Sequence, residues 1–246
     1  MLKNVAIIQA RMGSSRLPGK VLKLLNGVTV LETVVRRVKQ AGLLDDVIVA
    51  TSVSESDQQI ADFCERIDVK CYRGSEYDVM SRYYEAAISS GAEVIVRVTS
   101  DCPLVDPATI DQLLHLFAER DDDYILKDNL PVGTTSEVFS IQALEKAYRM
   151  DLEKYHREHI VTAFTEYPEY FRSYIYDAED AFYYPHIRLT LDTPEDYELL
   201  ERIFSHYTCS NEEIELKDVI TLLQKTPSLL DINASIQPKD PKMLNW

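Results

Sequence analysis

Apolar residues along the chain fall into short runs that alternate with helical stripes. Val5 to Ile8 is a continuous apolar run of the kind that forms a buried parallel strand. Val30 to Ala41 then carries Val30, Leu31, Val34, Val35 and Val38 at helical spacing and is closed by Gly42. Asp46 to Ala50 reads as a second strand, and Ser54 or Ser56 is placed to cap a helix running to about Arg66. Val69 to Tyr72 is a short third strand. A helix follows from near Asp78, and Glu93 to Val98 is a fourth strand. A helix from Pro107 to about Arg120 precedes a fifth strand at Asp123 to Lys127. This alternation predicts a Rossmann-like α/β fold, a mostly parallel sheet flanked by helices and joined by right-handed crossovers.

The rhythm breaks between about 128 and 188. An extended segment is expected at Val132 to Ser140, helices at Gln142 to Arg149 and His156 to Glu166, and a strand at Phe171 to Tyr176. Ten aromatic residues crowd into Tyr155 to Tyr184. They suit the packing of an aromatic-rich α+β insertion, or a lid or dimer surface. The sheet is expected to resume at Ile187 to Leu191, with a helix from Pro194, since proline favours a first helical turn. The tail from Asp231 reads as an extended surface segment. The whole of 1–246 is expected to be one domain, with 128–188 as its insertion.

In such sheets ligands lie beyond the carboxyl ends of the strands, so the loops at 9–20, 51–54, 73–78 and 99–103 should face one another. Charge singles out the first. The chain is formally −15, yet its first 31 residues carry Lys3, Arg11, Arg16, Lys20 and Lys23 and no carboxylate. A cationic, glycine-containing loop on an acidic protein suits a polyanion such as a nucleotide triphosphate. Its glycines match no common phosphate loop: five residues separate Gly13 from Gly19, Lys20 is followed by Val21, and Gly-x-Gly-x-x-Gly is absent. A low pI argues against nucleic acid as partner. No apolar run is long enough to span a bilayer, no signal-peptide pattern opens the chain, and the four cysteines form no Cys-x-x-Cys pair. These features predict a soluble cytoplasmic protein with reduced thiols. Asp101 and Asp192 each follow an apolar run at the expected ligand edge. Either is explained as a turn or helix-cap residue, or, facing a cationic loop, as a hard oxygen ligand for magnesium.

The run Gln9-Ala10-Arg11-Met12-Gly13-Ser14-Ser15-Arg16-Leu17-Pro18-Gly19-Lys20 resembles the signature loop of the sugar cytidylyltransferases, in particular the spore-coat polysaccharide branch. The likeness extends to about residue 205. It implies an enzyme that transfers CMP from CTP to a small sugar, usually an acidic 2-keto sugar, releases pyrophosphate for surface-polysaccharide synthesis, and works as a homodimer. By the same resemblance Gln9 to Arg16 and Lys20 bind the nucleotide, with Ser100 beside them. Asp101 and Asp192 hold Mg2+, and Lys20, Arg16 and Arg11 stabilise the departing pyrophosphate. The stretch from Gly74 to Tyr83 is similar to the family's nucleobase pocket, which implicates Asp78 and Arg82, although one helical turn also makes those two a plain ion pair. Gly133 and Glu137 match a family segment in which Thr135 replaces the expected aspartate, and Arg157-Glu158-His159 matches a family triplet. Two other functions stay open: a Rossmann-like glycosyltransferase consuming a nucleotide sugar, although its Asp-x-Asp cluster is missing, and a nucleotide-binding scaffold that has lost catalysis.

Overall fold

The structure, a computed structural model, describes residues 2–237. Its first strand, β1 (Asn4–Gln9), runs into a loop and a 3-10 turn at Lys20–Leu22. A small ribbon follows, made of β2 (Leu24–Leu25) and β3 (Val28–Thr29), and leads into α1 (Val30–Val38). Thr29 caps α1 by accepting from the Glu32 amide. Then come β4 (Asp46–Ser52), α2 (Gln58–Arg66), β5 (Lys70–Gly74), α3 (Val79–Ser90), β6 (Val94–Thr99), α4 (Pro107–Glu119) and β7 (Tyr124–Asp128). The second half holds β8 (Glu137–Ser140), α5 (Ile141–Arg149), α6 (Lys154–Glu158), α7 (Thr162–Glu166), β9 (Ser173–Asp177), α8 (Pro194–His206) and α9 (Leu216–Lys225).

Seven strands form one sheet in the order β5-β4-β1-β6-β8-β7-β9, in which β8 alone runs antiparallel to its neighbours. The chain leaves β1 toward β4 and β5, then returns to the other side of β1 as β6. The strand order therefore reverses at β1 and β6, and a crevice opens beyond their carboxyl ends. Successive residues alternate between two apolar layers. Ala6, Ile8, Val47, Val49, Val96 and Val98 pack with α1, α2 and α4; Val5, Ile7, Ile48, Ile95 and Phe139 pack with α3, α5 and α7. A third cluster ties α8 and α9 to Leu17, Leu104 and Leu191, and so anchors the Asp192 segment against the loop that follows β1.

The two halves of the sequence fared differently. The α/β rhythm to residue 127 matches the sheet closely. In the segment 128–188, β8 and β9 join the main sheet, β8 slipping between β6 and β7. Ile187 to Leu191 is no strand: its one sheet-like contact is a bridge from Arg188 to Val132. The helix expected over His156 to Glu166 is broken between α6 and α7, where the Thr162 hydroxyl and amide turn back to the His159 carbonyl. Phe164 and Phe171 are buried, Phe164 lying tilted against Tyr124 and Phe139 and meeting Phe171 edge-on, whereas Tyr170 and Tyr183 are exposed. Neither Ser54 nor Ser56 caps α2; their hydroxyls face each other. The described part of the tail, to residue 237, turns inward at Asn233 instead of staying extended on the surface. After a 3-10 stretch at Pro227–Ile232, Asn233 is buried and donates to the Arg188 carbonyl and the Asp196 carboxylate. Positions 238–246 lie outside the described residues.

Candidate active site

The loop after β1 is braced from both sides of the sheet. The Ala10 amide donates to the Ala50 carbonyl, and the Ser100 amide donates to the Gln9 carbonyl. Asp57, almost fully buried, accepts from the Met12 amide at 2.7 Å. The Met12 carbonyl closes the loop on itself by accepting from the Ser14 and Gly19 amides, and Gly19 takes the positive φ of +67° that this turn needs. Gly13 faces open space and Ser14 accepts from the Leu17 amide, so Gly13 to Ser15 form the exposed crest of the loop.

Lys20 follows that turn and is nearly buried. Its Nζ lies 2.6 Å from Asp101 Oδ2, 2.8 Å from Asp192 Oδ1 and 2.8 Å from the Leu191 carbonyl. Asp101 and Asp192 are 91 positions apart in sequence, yet the Leu191 amide donates to the Asp101 carbonyl and stitches their loops together. Arg16 approaches Asp192 Oδ2 at 3.0 Å, and Arg188 donates to the same oxygen at 2.7 Å. Burial raises the Asp192 carboxyl, but Lys20, Arg188 and Arg16 outweigh it and hold the group down at about 2. For Lys20 burial acts in the lowering direction, and the two carboxylates override it to raise the ammonium above its usual range. The Cys102 thiol next to Asp101 is pushed up to about 12 by burial and by that carboxylate, so it is no nucleophile.

Asp192 is not the helix cap. Thr193 caps α8 in a reciprocal box with Asp196, which is fully buried. Asp196 accepts from the Asp192 and Thr193 amides, from Arg188 and from Asn233. This fixed loop presents the Asp192 carboxylate to Lys20. The Thr-x-x-Asp pattern was in the sequence and signals the cap, but Arg188 and Asn233 gave no signal of their own.

The structure brings Arg16, Lys20, Asp101 and Asp192 together. The other cation of the loop, Arg11, turns to α6 instead, 3.6 Å from Glu158. Asp78 and Arg82 are not paired. Asp78 caps α3 through the Ser81 amide and is held by Arg157, whereas Arg82 is buried and donates to the Ser75 carbonyl at 2.6 Å. Arg157 is thus the residue that fixes Asp78, and its only sequence signal was the family triplet. Thr135 donates to the Lys127 and Ser136 carbonyls, so its hydroxyl serves the local backbone. His156 is buried against Thr162, and burial lowers the His159 imidazole, which keeps it neutral at neutral pH.

Two carboxylates and a carbonyl converging on one cation are a hard-oxygen set that suits a divalent ion also ligated by phosphate or water. Among the described residues no three His, Cys, Asp or Glu side chains gather into a denser metal cluster.

A parallel sheet with its order reversed at β1 and β6, a cationic loop over the switch point and two carboxylates facing it define a nucleotide-handling α/β enzyme. A family model described as cytidylyltransferase matches residues 5–224. The chain belongs to that family and is a CTP-dependent nucleotidyltransferase. It is 34% identical to the spore coat polysaccharide biosynthesis protein SpsF of Bacillus subtilis over 226 residues, 90% of this chain and 94% of that one. A cytidylyltransferase from Leptospira borgpetersenii has the same fold with a TM-score of 0.88 and 31% identity, covering 98% of this chain and 100% of the other. A CMP:2-keto-3-deoxy-manno-octonic acid synthetase solved with CTP shares the fold at a TM-score of 0.61 and 17% identity, over 83% of this chain and 99% of its own. Family membership removes the glycosyltransferase reading.

Proposed function

We propose that the protein transfers CMP from CTP to the anomeric hydroxyl of an acidic 2-keto sugar, releasing pyrophosphate, in the synthesis of a surface polysaccharide. The observation that carries this reading is the convergence of Lys20, Asp101 and Asp192 beneath the Gly13–Ser15 crest. In it, the crest amides and Arg16 receive the triphosphate, and Lys20 stabilises charge on the departing pyrophosphate. Asp101 and Asp192 would hold the divalent cation, Mg2+, which would offset the negative charge at the α-phosphate. Arg11, in the same loop and turned toward Glu158 of α6, joins Lys20 in stabilising the departing pyrophosphate. Asp78, fixed by Arg157, and Arg82 form the wall toward the base. The synthetase solved with CTP supports CTP and an acidic 2-keto acceptor by its fold likeness and its substrate name. The same reading makes 1–246 a single catalytic domain, the exposed Tyr170 and Tyr183 part of a homodimer surface, and the cytoplasm its compartment.

Pyrophosphate release tests this. CTP, Mg2+ and either 3-deoxy-manno-octulosonate or N-acetylneuraminate should release it, and Asp101→Asn should abolish the release. No release from any sugar acid, alongside transfer from a nucleotide sugar, would overturn it.

A further inference from the structure

Arg97 lies on β6 four residues before Asp101, with Ile7 of β1 and Glu137 of β8 beside it in register. The residues that share its face, Ile7, Ile95, Tyr83, Tyr124 and Phe139, are all buried and belong to the core. Into this apolar setting the chain places an ion pair, Arg97 Nη1 to Glu137 Oε2 at 2.5 Å, with side chains 13% and 17% exposed. Arg97 Nε is buried with no hydrogen-bond partner among the described residues, and the same holds for Gln9 Oε1, at the end of β1 on the same face. A buried pair left partly unsatisfied stabilises a fold poorly, and apolar residues of similar volume usually do as well. Orphaned buried donors and acceptors next to a ligand crevice therefore call for a ligand.

The surroundings narrow its chemistry. On the α6 side, Arg11 is matched by Glu158, and Arg97 is matched by Glu137. His159, within the field of Arg97, Arg11 and Glu158, is kept neutral by burial. The patch offers many donors and acceptors and no net charge. Hydroxyl groups, which donate and accept at once, fit such a patch better than a second carboxylate or phosphate.

We infer that Arg97, Glu137 and Gln9 form a specificity subsite that reads a vicinal diol at the non-reacting end of the acceptor. Arg97 donates to one hydroxyl oxygen, and Glu137 and Gln9 accept from the hydroxyl protons. The subsite rests on the acceptor being a sugar, as proposed above, and lies deeper along β6 than Asp101, where the reacting end belongs.

The test uses the full chain and the double variant Arg97→Met/Glu137→Met. Three quantities are compared: the unfolding temperature, the stabilisation by CTP with Mg2+, and pyrophosphate release. The acceptors are 3-deoxy-manno-octulosonate, N-acetylneuraminate, and N-acetylneuraminate trimmed of its distal diol by mild periodate and borohydride while protected as its methyl ketoside, then hydrolysed to free the anomeric hydroxyl. The variant should unfold at or above the wild-type temperature and keep its response to CTP. Its kcat/KM for the acceptor should fall about tenfold to a hundredfold, mostly through KM. The trimmed acid should lose as much on the wild type and nothing further on the variant. A variant that unfolds several degrees early would make the pair structural and overturn the inference, as would unchanged acceptor kinetics or a trimmed acid used as well as the intact one. If the wild type uses neither acid, the unfolding temperature alone decides. Loss of the wild-type response to CTP would instead overturn the proposed function and leave the stability comparison standing.

Discussion

Lys20 is the residue on which the charges of the site balance. Its ammonium separates two carboxylates that would otherwise repel across a short gap. Removing one partner of a fully buried pair costs about 3–5 kcal/mol; because both aspartates remain partly exposed, Lys20→Ala should cost about 1–3 kcal/mol in metal-free buffer. Millimolar Mg2+ should restore most of that loss in the variant while changing the wild type far less, as read by thermal unfolding with and without the ion. An equal response of both proteins would mean that the aspartates do not share a cation site. The pH dependence has a defined sign. The folded Asp192 carboxyl, at about 2, lies below its ordinary 3.8, so its stabilisation is fully present above about pH 4 and is lost as the pH falls toward 2. That shift is worth on the order of 2 kcal/mol. Asp192→Asn should therefore flatten the acid limb of the stability profile in metal-free buffer. Lys20 behaves in the opposite sense: its raised value keeps its stabilisation below pH 10.5 and loses it only above.

At the scale of elements, the site depends on loops that approach one another closely. Gly133 has φ +96°, and a Cβ there would meet the Thr190 backbone nitrogen at 2.6 Å. Gly133→Ala should cost about 2–5 kcal/mol in urea unfolding, whereas Gly13→Ala, which meets nothing within 4 Å, should leave stability unchanged. Equal effects at the two glycines would contradict the packing of the 132–134 turn onto the Asp192 segment. Arg157→Ala frees the Asp78 carboxylate that caps α3. It should weaken CTP binding about tenfold by calorimetry with little change in fold stability, since both side chains are partly exposed. Periodicity made most of these elements legible. Strands β1 and β4 carry continuous apolar runs, β6 carries one interrupted only by Arg97, and α1 and α4 carry clear stripes and end signals. The misread stretches have physical reasons. Ile187 to Leu191 is apolar because it packs under α8 and α9, not because it pairs in the sheet. His156 to Glu166 keeps a helical stripe, but backbone turns at His159 to Thr162 interrupt it.

At the scale of the molecule, the basic loop and the acids Asp101 and Asp192 could be picked out in the sequence, because both end apolar runs. Their direct contact through Lys20 could not, since it depends on how the Asp192 segment docks beneath α8. Arg157 and Glu158 were marked only by the triplet resemblance, and nothing local marked Arg188 or Asn233 as partners of Asp192 and Asp196. Among the described residues no helix is long and apolar enough to cross a membrane. The most direct test of the central claim is a thermal-shift comparison of CTP, UTP, dTTP, ATP and GTP with Mg2+ or EDTA, run on the wild type, Lys20→Ala and Asp101→Ala. CTP with Mg2+ should stabilise the wild type selectively, by about 2.7 kcal/mol at a hundred times its Kd, and both variants should lose the response. No response to any triphosphate, or a CTP response that survives in both variants, would contradict a nucleotide site built on Lys20 and Asp101.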